Sequence, residues 1–242
     1  MIDRFFSLEY MLRSIPEILS RLPLTLWIAF SATLMGWIIG FFIAIIRIRR
    51  IPVLAQIADF YISFIRGTPL MVQIYLTYYG IPIGILILNT LQGNPDVVVS
   101  SFQPTTFAII AFSLNCGAYS SETLRAAIQS IDKGQIEAAY SVGLTGIQTM
   151  KRIVLPQALL VAIPTLSNSL MSTIQATSLA FCVSVIDIMS AAKLIGARTY
   201  RYFEVFVVVA LIYWAVCMAV QELMRRIEKK LRIPGHTEIK SA

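Results

Sequence analysis

The side chains best placed to do chemistry in this sequence are neutral ones in apolar surroundings: Gln73, Asn115, Ser172, Gln175, Thr177 and Ser178 all fall within stretches hydrophobic enough for a bilayer. An amide offers a donor and an acceptor together, so Asn115 and Gln175 could each meet a polar ligand with either polarity. Polar groups in membrane helices turn toward protein or water; their other use is to join helices, at about 0.6 kcal/mol per hydrogen bond. Arg66 is costly within a span unless paired or wetted. Asp59, Glu122 or backbone carbonyls at the break made by Gly67 and Pro69 are its expected partners, which gives Arg66 a supporting role at an inner gate rather than a grip on ligand. Covalent catalysis has no equipment here. The single histidine, His236, lies in a polar tail, no carboxylate pair stands out, and Cys116, Cys182 and Cys217 sit in apolar runs that suit neither a disulfide framework nor a metal site. The glycine-rich pattern that cradles ATP phosphates is also missing, so any ATP energy must come from another subunit.

A second polar stretch, residues 137–156 (EAAYSVGLTGIQTMKRIVLP), lies between apolar runs. Asp132 with Gln135 has the form of a capping box, which places Glu137 in the first turn of a short helix. Gly143 ends that helix, and Thr145 with Gln148 repeats the capping pattern. A second helix then runs through Met150 and Ile153 to a break at Leu155 and Pro156. Ile136, Ala139, Tyr140, Gly143, Leu144 and Ile147 recur at helical spacing, so one face is apolar and close-packing, while Lys133, Lys151 and Arg152 mark the ends. Such an element fits a protein groove. A DNA-reading helix-turn-helix is excluded, because the membrane flanks leave no approach to a nucleic-acid groove.

Membrane-crossing helices must position both sets of residues. Hydrophobic residues make up 57% of the 242-residue chain, whose mean hydropathy is +0.74; soluble domains have an apolar share of roughly 45–50% even with glycine included. The net charge of +7 gathers beside apolar runs and reads as a topology signal rather than an affinity for nucleic acid. Residues 1–21 form an amphipathic segment on the membrane surface through Phe5, Phe6, Leu8, Met11, Leu12 and Ile15. Asp3, Glu9 and Glu17 interrupt any cleavable signal. The charge-free run 22–46 exceeds the roughly 20 residues a span needs. Arg47, Arg49 and Arg50 follow it, which puts the N-terminus outside. Pro52 opens a second span with a polar stripe (Gln56, Asp59, Ser63, Arg66, Gln73, Thr77) that ends near Pro82; residues 83–104 then read as an outer loop with a turn at Asn94 and Pro95. A third span, 105–128, sets Asn115 about 15 Å deep, with Glu122 and Arg125 as an i,i+3 pair near the inner face. Pro164 starts a fourth span that runs to about residue 185, with Gln175 near the midplane. Asp187, Lys193, Arg198 and Arg201 make an outer loop, and a fifth span covers 203–220. Arg225, Arg226, Lys229, Lys230 and Arg232 hold the C-terminus in the cytoplasm. The expectation is an all-α integral membrane protein with five transmembrane helices: an outer segment 1–21, a membrane domain 22–222 containing the loop 132–156, and a basic cytoplasmic tail 223–242.

Glu137, Ala138, Ala139, Gly143, Ile153, Leu155 and Pro156 resemble the EAA loop of the membrane subunits of ABC importers, with no position of that pattern missing. Arg66-Gly67-Thr68-Pro69-Leu70, then Asn115, Ala118, Tyr119 and Glu122, then SIDKGQIE at 130–137, are similar to the permeases of polar amino-acid importers. Within that family, YISFIRGTPLMVQIYLTYYGIP and DIMSAAKLIGARTY look most like cystine importer permeases. The resemblance implies the type I importer permease fold in the bacterial cytoplasmic membrane. It also implies pairing with a second copy or a homologous permease, an extracytoplasmic amino-acid-binding protein, and ABC ATPase subunits docked through Glu137, Ala138, Ala139, Gly143 and Thr145. ATP and Mg would be bound by those ATPase subunits, with no cofactor in this chain. One departure stands out: many relatives have Lys-Asp before Thr/Ser-Ser-Leu, where this sequence has Gln175-Ala176, so a charged substrate contact is not carried over here. The polar membrane residues taken alone would suggest an ion-coupled secondary amino-acid transporter instead.

Overall fold

The computed structural model describes residues 6–93 and 102–231, which are helical almost throughout. In chain order the α-helices are α1 Leu8–Leu19, α2 Leu22–Ile48, α3 Leu54–Gly67, α4 Leu70–Leu91, α5 Pro104–Gln129, α6 Lys133–Ser141, α7 Gly146–Thr149, α8 Leu155–Ala176, α9 Ile188–Thr199 and α10 Tyr202–Leu231. A π-helical turn, Met150–Val154, joins α7 to α8, and a 3-10 stretch, Thr177–Val183, follows α8. Among the described residues, four stretches are long and apolar enough to cross a membrane: α2, α4, the run Gly146–Val183, and α10. The fifth long helix is α5, at 26 residues. It is less apolar because Ser113, Asn115, Ser120, Ser121 and Glu122 lie along it, and it forms the centre of the bundle, where Ala108, Ala111, Phe112 and Ala118 are buried by protein.

Small residues set the closest approach. An added Cβ at Gly36 of α2 would lie 2.6 Å from Cys116 Cβ, and one at Gly40 would lie 2.9 Å from the Ser121 backbone nitrogen. Without a strong hydrophobic drive between helices in lipid, such close backbone contact is what holds α2 on α5. Cys116 is therefore a packing residue of this seam, and all three cysteines are free. At one end of the bundle α1 packs on α9 and α10: Ile18, Ile188, Ala192, Val205 and Val208 form a buried cluster joined by Tyr10, Met11 and Ile15. So α1 is amphipathic as expected, but its apolar face is spent on protein, with Leu8 and Leu12 left exposed. Buried Glu204 accepts from Ser7 N and from Arg201 at 2.9 Å, which ties down the start of α1.

Prolines and charges account for most departures from the expected boundaries. Pro82 does not end α4, which continues to Leu91, so part of the expected outer loop is helix; the turn at Asn94 and Pro95 falls outside the described residues. Pro156 lies just after the π-helical turn Met150–Val154, whose wider winding accommodates its missing N–H, and Pro164 lies inside α8. The expected break at Leu155 and Pro156 is absent. The charged segment around Lys193 and Arg198 is the helix α9, capped by buried Asp187, which accepts from Ser190 N at 2.9 Å. Finally, α10 continues past 220 to Leu231, across the expected boundary between membrane domain and tail.

Candidate functional site

The break between α3 and α4 shows how the sequence builds the site. Pro69 has no N–H, so the Ile65 carbonyl loses its partner one turn on. Gln73 of α4, only 4% exposed, takes its place. Its Nε2 donates to the Ile65 carbonyl at 2.7 Å and to the Thr68 carbonyl at 2.9 Å, and its Oε1 accepts from Asn115 Nδ2 at 2.9 Å. Asn115 in turn lines a cavity of about 600 Å³ between α5 and α8. The α8 wall is polar because Thr165, Asn168, Ser169, Ser172 and Thr173 recur every three or four residues and so share a face. Trp37 of α2 braces that wall from behind, donating to Ser169 Oγ at 3.0 Å.

Of the residues expected along a substrate path, Asn115 and Ser172 line this cavity, and Gln73 is buried and bonded to Asn115 without lining it. Gln175, Thr177 and Ser178 do not line the cavity. Gln175 Nε2 reaches toward Cys217 Sγ of α10 at 3.8 Å, Thr177 is buried beside the Tyr213 hydroxyl at 3.3 Å, and Ser178 bonds back to the Gln175 carbonyl. Gln175 is still within α8 and faces α10 from the edge of the stripe, while the change to 3-10 winding at Thr177 turns Thr177 and Ser178 away from it. Thr165, Ser169 and Thr173 were missed. Their signal was the small polar repeat, which continues from Asn168 and Ser172 in both directions.

Arg66 and Glu122 also line the cavity, but not as a pair. The Arg66 guanidinium lies over the Tyr119 ring, 5.6 Å from its centroid. Asp59 and Glu122 both bind Arg47 at the end of α2, and Glu122 also holds Arg125 at 2.7 Å. The two carboxylates expected to partner Arg66 are thus committed elsewhere. Gly67 and Pro69 are exposed at the α3–α4 break, and Thr68 Oγ1 caps α3 by donating to the Phe64 carbonyl.

In the second polar stretch, Asp132 caps α6 through Gly134 N at 2.8 Å, while Gln135 accepts from Gln157 of α8 at 2.6 Å; the expected capping box is not formed. Glu137 lies in the second turn of α6 and is exposed, as are Ala138, Gly143 and Thr145, whereas Ala139 is buried. Gly143 makes the turn at φ +83°, and Thr145 with Gln148 forms a complete capping box. The apolar residues are divided between two faces. Ala139 packs inward with Ile136 half-buried, while Tyr140, Val142 and Ile147 are exposed, the last two by 77% and 73%.

The profile of the family described as "Binding-protein-dependent transport system inner membrane component" matches residues 33–233. The chain belongs to that family. Among curated members, it is 36% identical to the L-cystine transport system permease protein TcyL of Bacillus subtilis (strain 168), over 95% of this chain and 93% of that one. It is 40% identical to the probable amino-acid ABC transporter permease protein PatM of Vibrio harveyi, over 93% and 96%. A crystal structure of an amino acid ABC transporter with histidines matches with a TM-score of 0.78 at 31% identity, covering 93% of this chain and 99% of that one. The inward-facing MetNI methionine ABC transporter matches in fold, with a TM-score of 0.64 at 17% identity over 94% and 100%. The matched region takes in α4, α5, α8 and α10 whole and most of α2.

Proposed function

We propose that this chain is the translocation-pathway subunit of an ATP-driven importer of polar amino acids, cystine among them. The observation that carries the reading is the cavity between α5 and α8, which is large enough for an amino acid and walled mostly by neutral donors and acceptors, with Arg66 and the already paired Glu122 as the charged residues of its lining. Relatives named for amino-acid and cystine transport support the substrate class. The exposed α6–α7 element supports docking of an ATPase subunit, which would bind ATP and Mg, with Tyr140, Val142 and Ile147 against its surface and Glu137 at the rim. The clustered bases support an N-terminus outside and a C-terminus in the cytoplasm. A second permease, identical or homologous, and an extracytoplasmic binding protein complete the assembly.

The test is uptake into proteoliposomes holding the chain with its ATPase subunits, supplied with binding protein and a panel of labelled amino acids. Uptake should require ATP on the ATPase side and be selective for polar amino acids. Uptake driven by an ion gradient with no ATPase present would replace this reading with an ion-coupled secondary transporter.

A further inference from the structure

The hydrogen bonds that lead to Asn115 run in one direction. Thr68 Oγ1 donates to the Phe64 carbonyl at 2.9 Å, which leaves its lone pairs to accept from Gln73 Nε2 at 3.0 Å. Gln73 Nε2 also faces the carbonyls of Ile65 and Thr68. Backbone carbonyls only accept, so the NH2 end of Gln73 must point at them and its carbonyl must point the other way. Asn115 meets that carbonyl at 2.9 Å and so must use its own NH2 end. The orientation of one amide, set by Pro69 having no N–H, is passed through Gln73 to the next. The Asn115 carbonyl oxygen takes no part in the relay.

We infer that Asn115 presents this carbonyl oxygen to the cavity as the acceptor for the ammonium group of the transported amino acid, with Gln73 as the positioning residue that keeps it so turned. The inference rests on the function proposed above and adds a polarity to its site. Two further facts favour a neutral acceptor. Glu122, the carboxylate of the cavity wall, is held by Arg47 and Arg125. Asn115 sits within an apolar stretch of α5, beside Phe112 and Cys116, where a hydrogen bond to a cation is worth more than in water.

Binding to the detergent-purified permease–ATPase complex tests this without the binding protein's own preference entering. The probes are labelled L-cystine and L-glutamine, each displaced by its analogue lacking amino groups, dithiodipropionate or glutaramate. The readout is the affinity ratio of amino acid to analogue. Asn115→Leu should lower that ratio about tenfold, the loss expected for one hydrogen bond to a charged group, whereas Asn115→Asp gives up its donor to the Gln73 carbonyl but keeps an acceptor toward the cavity and should hold or raise it. Gln73→Leu frees the amide to turn and should lower the ratio. Adding Asn115→Asp to Gln73→Leu should restore it, because a carboxylate accepts whichever way it faces; a purely structural role for Gln73 predicts no such rescue. An unchanged ratio in Asn115→Leu overturns the acceptor assignment, and failure of the double variant to recover overturns the positioning role. If Gln73→Leu does not assemble, the two Asn115 variants decide the acceptor assignment alone. Absence of ATP-driven amino-acid uptake by the wild-type complex would instead overturn the proposed function, a result distinct from uptake with an unchanged ratio.

Discussion

Asp59 lies two turns before Arg66 on α3, yet its carboxylate is bound by Arg47 of α2 at 2.6 Å. The same guanidinium reaches Glu122 of α5, so one side chain at the end of α2 joins three helices. Asp59 is 59% exposed and Glu122 only 25%. Exposed pairs are worth about 0–1 kcal/mol, whereas stripping a partner from a half-buried carboxylate costs about 1–3 kcal/mol. Arg47→Ala should therefore lower the unfolding midpoint of the detergent-solubilised protein by about 5 °C, and Asp59→Ala by about 2 °C or less. Equal shifts would mean that the Glu122 arm contributes nothing.

The α2–α5 seam should tolerate change unequally at its two glycines. A Cβ at Gly36 meets the Cys116 side chain, at 2.6 Å from Cβ and 2.8 Å from Sγ, while one at Gly40 meets the Ser121 backbone nitrogen and the Gly117 carbonyl. Gly36→Ala should cost about 1–3 kcal/mol and regain much of it when combined with Cys116→Gly. Gly40→Ala has no side-chain remedy at its backbone contacts. Thermal unfolding of the three variants compares them directly.

Gly143 holds φ +83° with no atom within 4 Å of an added Cβ, so substitution there brings strain and no clash. Gly143→Leu should cost about 1–2 kcal/mol locally and abolish ATPase association and uptake while membrane abundance stays normal. Ile147→Asp, at a position 73% exposed, should do the same without touching the turn. Normal association in both would remove the loop from the ATPase contact; a fall in abundance with association per molecule intact would give Gly143 a folding role only.

Topology can be read by labelling. With Cys116, Cys182 and Cys217 replaced, a cysteine at Thr145 should react with impermeant reagents only from the cytoplasmic side, and one at Glu17 only from outside. Both positions are exposed. Labelling of Thr145 from outside would invert the arrangement.

Hydropathy made α2 and α10 legible, and the span expected over 105–128 matches α5 almost to the residue. The Thr145–Gln148 cap and the Gly143 turn were legible because their chemistry is local. Prolines misled where tertiary context decides: Pro82 and Pro156 read as stops and Pro164 as a start, but all three lie in continuous helix, where neighbours in a membrane bundle re-satisfy the freed carbonyls. Asn115 and Ser172 were readable as cavity residues from depth and spacing, whereas Gln175, Thr177 and Ser178 were not. A helix that changes winding rotates its faces, and composition does not announce the change. The partner of Arg66 was missed for a related reason. Sequence spacing sees neighbours on one helix, but Arg47 competes for Asp59 and Glu122 from another.

Since Pro156 leaves the chain helical, the capped start of α7 and the polar wall of the cavity are opposite ends of one rod, about 37 Å apart from Ile147 to Ser172. Its middle is gripped: Val154, Ala158, Ala162 and Leu166 are buried against α2 and α5, and Gln157 is tied to Gln135 of α6. A rod held at its centre behaves as a seesaw. Tilting it by about 5° would swing each end roughly 1.6 Å in opposite directions, less whatever the π-helical turn Met150–Val154 and Pro164 take up by bending.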